Sequence, residues 1–171
     1  GRKGRMELLP LGEFATKQPM EPTYQSVADF VVLEKTPAGM ISPLHLADSL
    51  DGIGQTVLTT LAPVDTTGNL DLRYEVVDSK AWAYLGFYLA AKLRAAVAYR
   101  RYQEGQNRED WELAVTELER GTDHWRTLVE LTEPVYDPVP LTHNNRDENK
   151  PFHWSLVEEQ VLAELTWLKA Q

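Results

Sequence analysis

The sequence contains no cysteine, and this absence removes several kinds of site at once. Disulfide bonds, thiolate metal ligands, redox motifs and cysteine nucleophiles all require a thiol. The compartment stays open, because a chain without cysteine is compatible with the cytosol, the periplasm and secretion.

Basic residues are outnumbered in this chain. Its 17 Lys and Arg face 26 Asp and Glu, which gives a formal net charge of -9. Such a surface repels a polyanion on average, so we expect no nucleic-acid partner.

Long apolar runs are missing as well, and a membrane-spanning helix needs about 20 mostly apolar residues. We therefore expect no membrane partner, and the opening GRKGRMELLPLG lacks the apolar core of a signal peptide.

Signature motifs of common enzymes are also missing. The chain has no His-Glu-x-x-His, no Gly-x-Ser-x-Gly elbow, no phosphate loop and no Gly-x-Gly-x-x-Gly fingerprint. None of its four histidines stands at a metal-ligand spacing from another. We expect no metal, no cofactor and no catalytic residue, so the chain is predicted not to be catalytic in isolation.

The sequence does contain helical periodicity. Its 171 residues, 43% hydrophobic and 25% charged, fit one globular domain. Ser42 and Pro43 start the first clear helix, because serine accepts free amide bonds and proline lacks an N–H that the first helical position does not need. Apolar residues spaced by three or four predict helices over about 42–61, 70–103, 108–131 and 155–169.

Two of these helices carry specific packing predictions. In the first, an apolar stripe that includes Leu50 and Ile53 is expected to face the core, and Gly52 and Gly54 are expected to lower its helicity. The helix over 70–103 has two apolar lines, one of which includes Trp82. A helix apolar over so much of its circumference is predicted to be the central one.

These segments predict an all-α fold, an antiparallel helical bundle of about four main helices. Residues 1–41, in which Pro and Gly interrupt any helical period, are predicted to be an extended arm or linker packed on the bundle. Residues 42–171 form the bundle domain. Within the arm, residues 27–33 are predicted either as a short helix after Ser26 or as an irregular strip.

A polar loop before the last helix is the best candidate for a binding site. Its side chains are good hydrogen-bonding partners for sugars and carboxylates, and tryptophan stacks on sugar rings. The alternative is that Phe152 and Trp154 only hold the loop on the bundle. The predicted carbohydrate-binding residues are His143, Asn144, Asn145, Arg146 and Trp154.

Aromatic residues on an alanine-rich helix carry a resemblance to a known family. The stretch DSKAWAYLGFYLAAKLRAAVA, residues 78–98, is followed by HW at 124–125 and FHW at 152–154. Over about 42–168 the chain resembles the helical C-terminal region of large carbohydrate-active proteins related to the α-glucuronidase-like glycoside hydrolases. In such proteins the acid and base carboxylates belong to a barrel domain upstream, so the resemblance carries over no catalytic residue.

The resemblance implies a non-catalytic structural or interaction domain of a larger polysaccharide-degrading glycoside hydrolase. Its expected partner is the upstream catalytic domain of the same parent protein, and a homodimer through the helix over 70–103 stays open. One alternative is a carbohydrate-binding module that binds a saccharide through the loop over 141–154. Another is a small helical enzyme, which would need a cleft of convergent titratable groups. The resemblance implies a periplasmic or secreted protein, and without it the expected location is the cytoplasm.

Overall fold

The computed structural model describes residues 8–140 and 151–171. These residues are predominantly helical, which confirms the predicted all-α class. None of the helices in these two ranges combines the length and the sustained apolar character that crossing a bilayer requires. In chain order the elements are α1 (Leu11–Phe14), α2 (Val27–Leu33), α3 (Pro43–Leu61), α4 (Leu70–Gly105), α5 (Arg108–Thr132), β1 (Val139–Pro140), β2 (Pro151–Phe152), the 3-10 helix η1 (Trp154–Val157) and α6 (Glu158–Lys169).

Side-chain caps set the starts of the three long helices. Ser42 accepts the backbone N–H of His45, and Pro43 occupies the first turn of α3. Asn69 and Asn107 accept backbone N–H groups in the first turns of α4 and α5. Each cap satisfies an amide that would otherwise lack a partner, a contribution of about 1 kcal/mol. The predicted starts of these helices are confirmed.

Helix α4 lies between α3 and α5 and packs extensively against both. Ala47 of α3 clusters with Ala90 of α4, and Gly54 lies against Phe87, so the two helices run in opposite directions. The predicted central position of this helix is confirmed. Helix α6 packs mainly on α5, and the two-residue strands β1 and β2 pair antiparallel just before it.

The arm is only partly extended, because two short helices lie within residues 8–41. Ser26 accepts the backbone N–H of Asp29 and starts α2, which confirms the short-helix interpretation. Both short helices pack on α4, and Leu11 and Ala15 are fully buried there. The described part of the arm therefore contributes to the core. The division at residue 41 stays a prediction.

The predicted apolar stripe of α3 is confirmed at Leu50, which packs against the cluster around Ala47, and is wrong at Ile53. Ile53 is 64% exposed, whereas Ala47 and Gly54 are buried against α4. A Cβ added to Gly54 would lie 2.7 Å from the ring of Phe87. Small residues let the two backbones approach closely, and a pattern based on hydrophobicity gives such residues little weight. The prediction for Trp82 was also wrong, since this side chain is 68% exposed.

The two glycines of α3 provide a matched test of this close approach. We expect Gly54→Ala to lower the free energy of unfolding by about 1–3 kcal/mol, because its methyl group would overlap the ring of Phe87. Gly52 faces open space, so Gly52→Ala should raise the free energy of unfolding by up to about 1 kcal/mol through helix propensity. Urea unfolding followed by circular dichroism measures both changes. Equal changes in the free energy of unfolding at the two positions would contradict the close packing of Gly54 against Phe87.

Candidate functional site

One of the five predicted carbohydrate-binding residues lies in the described part of the chain. His143, Asn144, Asn145 and Arg146 lie outside the described residues, and Trp154 begins η1. The predicted set is therefore not tested as a whole, and the carbohydrate site stays a prediction.

Trp154 is half-buried and packs against two other aromatic rings. Its ring centroid lies 5.8 Å from that of Trp125 and 5.1 Å from that of Phe152, both in edge-to-face geometry. Trp125 is fully buried. Contacts on two sides leave less of the Trp154 ring for a sugar to stack on. This geometry supports the alternative in which Phe152 and Trp154 hold the segment on the bundle.

His153 has a local structural role. The side chain is buried, and its Nδ1 accepts the backbone N–H of Ser155 at 3.1 Å and lies 2.7 Å from the hydroxyl of the same serine. The histidine thus caps η1. In the described part of the chain, no group of three or more histidines and carboxylates is placed to hold a metal ion.

A buried ion pair joins α4 to α6. Lys92 Nζ lies 2.8 Å from Glu164 Oε2, and the two side chains are 2% and 9% exposed. Lys92 also donates a hydrogen bond to the hydroxyl of Tyr88 at 3.2 Å. The other oxygen of Glu164 accepts the backbone N–H of Leu11. This polar cluster, formed by Tyr88, Lys92, Glu164 and the Leu11 amide, connects two helices and the arm.

Burial dominates the electrostatics of the polar cluster. It raises the pKa of the Tyr88 hydroxyl far above the usual value, and the charge of Glu164 raises it further. Burial lowers the pKa of Lys92, while Glu164 opposes part of that change. Shifted pKa values occur both in active sites and in structural ion pairs. Because Lys92 is almost fully covered, a substrate cannot reach it in this conformation, and the cluster acts as a structural connection.

The polar cluster was not predicted from the sequence, although one signal for it exists. Lys92 stands between Ala91 and Leu93 in a helix that is apolar over most of its circumference. A lysine at such a position needs a carboxylate partner. The sequence does not show which of the 26 acids supplies it.

Removing the charges of Lys92 and Glu164 first singly and then together tests whether their ion pair stabilises the fold. We expect Lys92→Met to lower the free energy of unfolding by about 3–5 kcal/mol, because Glu164 would keep a buried charge without its cation. The double variant Lys92→Met, Glu164→Gln carries no buried charge and keeps an oxygen for the Leu11 amide. It should therefore be more stable than Lys92→Met alone. Urea unfolding of Lys92→Met, Glu164→Gln and the double variant completes a double-mutant cycle. If the changes in the free energy of unfolding of the two single variants simply added up in the double variant, the pairing would be refuted.

A second group of charges lies where α3, α4 and α5 meet. Arg94 donates to Asp48 at 2.6 Å and to Asp51 at 2.7 Å. The ring of His124 packs beside the ring of Phe87, with centroids 5.1 Å apart. These contacts link all three long helices at one edge of the fold.

The pKa of His124 is lowered from the ordinary value of 6.5. Burial is the main cause, and the positive charge of Arg120 adds to it, whereas Asp51 and Asp123 act in the opposite direction. The folded state therefore binds a proton at this ring less readily than the unfolded state does.

The shift at His124 predicts a pH dependence of stability. Since the folded pKa is the lower one, protonation favours the unfolded chain, and stability is lost as the pH falls from about 6.5 through the folded pKa. His124→Phe keeps a ring beside Phe87 and removes this titration. The free energy of unfolding of the unmodified chain, relative to the variant, should fall as the solution is acidified from about pH 8. If the difference in the free energy of unfolding between the two proteins stayed constant during this acidification, the lowered pKa would be contradicted.

An exposed aromatic face lies on the N-terminal half of α4. Leu70, Tyr74, Asp78 and Trp82 follow one another at intervals of one helical turn, and Leu70 and Trp82 are 60% and 68% exposed. The ring of Tyr136 lies 5.8 Å from that of Tyr74, and its hydroxyl donates to Asp78 at 2.7 Å. We name these five residues the Trp82 surface.

The Trp82 surface carries negative charge. Partial burial, the hydrogen bond to Asp78 and the nearby charges of Asp78 and Glu75 raise the pKa of Tyr136 to about 12. Asp71 adds a further acid in the first turn of α4, and Arg73 offsets part of the charge. The face thus combines exposed apolar rings with an acidic edge.

Comparison of the chain with protein-family models, with curated proteins and with solved structures found no match. The proposed function is therefore based on the geometry of the described residues alone.

Proposed function

We propose that this chain is a non-catalytic helical interaction domain that docks onto another protein surface through the Trp82 surface. The observation that carries the proposal is the exposure of Trp82 on the helix that otherwise forms the centre of the fold. Grouped exposed apolar side chains mark contact sites, and Trp and Tyr are prominent among the residues that contribute most to binding.

Burial along one side of α4 supports this interpretation. Trp82, Leu89, Leu93 and Ala96 follow one another along this side of the helix. Trp82 is 68% exposed, Leu89 is half-buried, Leu93 is 7% exposed and Ala96 is fully buried. The arm covers the later residues, since Ala96 clusters with Leu11 of α1. The same apolar line is thus covered at one end and open at the other.

The Trp82 surface is held in shape before any partner binds. The hydrogen bond from Tyr136 to Asp78 fixes the Tyr136 ring beside Tyr74. Trp82 projects from the middle of a continuous helix. Side chains that are already ordered lose less conformational entropy on binding, which favours affinity.

The negative charge on and around the Trp82 surface favours a partner that has basic residues around an apolar centre. Asp71, Glu75 and Asp78 lie on or beside the Trp82 surface, and the chain as a whole carries a formal net charge of -9. Two copies of this face would place like charges opposite each other, which disfavours a homodimer through it. A partner with Lys or Arg at its rim complements both the rings and the carboxylates.

The parent protein of this domain stays a prediction from the resemblance. An upstream glycoside hydrolase domain would be one partner of the required kind, provided that it presents a basic surface. In this proposal the four longest helices, α3 to α6, act as one antiparallel bundle with the arm packed on it. The docking role depends on the Trp82 surface and does not depend on the chemistry of the parent.

Crosslinking from the surface identifies the partner directly. A photoreactive phenylalanine analogue at position 82, expressed in the cells that naturally produce the chain, should crosslink to a defined basic segment. The same analogue in place of Glu130, which is exposed on α5, serves as the control. Mass spectrometry then locates the crosslinked residues. Crosslinking at position 82 no stronger than at position 130 would contradict the proposal, and a crosslink to a second copy would contradict the basic partner.

The affinity for the purified partner gives the second measurement. We expect Trp82→Ala to weaken binding at least tenfold, about 1.4 kcal/mol or more, because it removes the central ring of the contact. Leu113→Ala removes another exposed apolar side chain, 45% exposed on α5, and should leave the affinity within about twofold. Equal effects of the two substitutions would indicate that the contact does not centre on Trp82.

A further inference from the structure

Charge is distributed unevenly around the N-terminal half of α4. Successive residues of a helix are about 100° apart around its axis. Three acids consequently lie within about 40° of Trp82, and they are Asp71, Glu75 and Asp78. Arg73 and Lys80, the two cations of this half, lie about 180° and about 160° from Trp82. The exposed indole therefore has carboxylates on its own side of the helix, whereas both cations lie on the opposite side.

Asp78 is the acid best placed to share a ligand with Trp82. It precedes Trp82 by one helical turn, about 6 Å along the axis, on the side towards which helical side chains lean. Its Oδ1 accepts the hydroxyl of Tyr136 at 2.7 Å, which holds the carboxylate in place. Within residues 8–140 and 151–171, Asp78 has no cation partner, and no lysine or arginine lies over the ring of Trp82. An incoming cation would thus meet an open indole and an unpaired carboxylate together.

The same chain already holds an arginine in this way. At the start of α5 the guanidinium of Arg108 lies 3.8 Å from the ring centroid of Trp111, and its Nε lies 3.2 Å from Oε1 of Glu112. One exposed guanidinium therefore uses an indole and a carboxylate at once. The Trp82 surface offers the same two groups, but α4 supplies no arginine to them.

A guanidinium fits these two groups better than an ammonium ion does. It is planar, so it stacks flat on an indole, and its N–H donors reach a neighbouring carboxylate while the plane stays on the ring. It is also more weakly hydrated than an ammonium ion, so it loses less when it leaves water. The pair formed by Trp82 and Asp78 therefore favours arginine over lysine.

We propose, as a step that depends on the docking role of the Trp82 surface, that its partner presents an arginine whose guanidinium stacks on Trp82 and bonds Asp78. Oδ1 of Asp78 keeps the bond from Tyr136, and Oδ2 is open to the guanidinium. Asp71 and Glu75 add attraction at longer range, which steers the arginine to this side of α4. The apolar side chains of the partner contact the rest of the Trp82 surface.

Matched peptides test the charge of the arginine. The probe acetyl-GLRLG-amide has one arginine, and citrulline in its place keeps nearly the same size and shape without the charge. We expect the full chain to bind the arginine peptide at least about fourfold more tightly, because only the guanidinium gains both the cation–π contact and the ion pair. NMR titration that follows the backbone amides of residues 78–82 measures both dissociation constants at the site. Equal values would overturn the arginine assignment, and a lysine peptide that binds as tightly would overturn the preference for a guanidinium.

Three substitutions locate the contact. Trp82→Leu keeps an apolar side chain without an indole, and Asp78→Asn keeps an oxygen for Tyr136 without the charge. Each should reduce the preference for arginine over citrulline to about twofold or less. Glu109→Gln removes the same charge at the exposed start of α5, near the far end of α4, and should leave the preference unchanged. A preference that survives intact in Trp82→Leu or in Asp78→Asn would refute the shared contact.

The docking role and the arginine can fail separately. A crosslink from position 82 to a partner segment that contains no arginine would keep the docking role and overturn the arginine. The absence of any shift with the arginine peptide at millimolar concentration would overturn the arginine as well, while the crosslink alone decides the docking role. Crosslinking at position 82 no stronger than at the control position would contradict both.

Discussion

A lysine buried in the middle of helix α4 needs a carboxylate within reach, and the arrangement of the chain ends follows from this requirement. Glu164 comes from α6, so the ion pair fixes how α6 lies against the central helix. The second oxygen of the same carboxylate holds the amide of Leu11, so the arm is fixed too. A charge without its partner would be costly at this depth, which ties three separate segments to one point.

Small residues determine the packing around that point. Gly54 lets α3 approach the ring of Phe87, and Gly121 of α5 lies against Ala91, where an added Cβ would be 3.3 Å from its methyl group. Close approach at these two places brings α3 and α5 near to α4, and larger side chains such as Trp125 fill the core elsewhere along α5.

The sequence predicts the elements of this fold better than their contacts. Caps at Ser42, Asn69 and Asn107 are local signals, and they place the helix starts correctly. Within α3 the prediction was wrong at Ile53, and it missed the burial of Gly54, which is buried for its lack of a side chain, a property that hydrophobic periodicity does not register. The pairing of Lys92 with Glu164 joins residues far apart in sequence, so only the packed structure reveals it. The residues predicted to bind carbohydrate, apart from Trp154, lie outside the described part of the chain, so their prediction is untested.

The polar cluster also limits how far the arm covers the central helix. It holds α1 against the later half of α4, where Ala96 clusters with Leu11, and the cover over the apolar line ends before Trp82. Trp82, Tyr74 and Tyr136 are positioned instead by α4 and by the bond from Tyr136 to Asp78. The docking surface therefore depends on the central helix, because none of its contacts among the described residues comes from the arm.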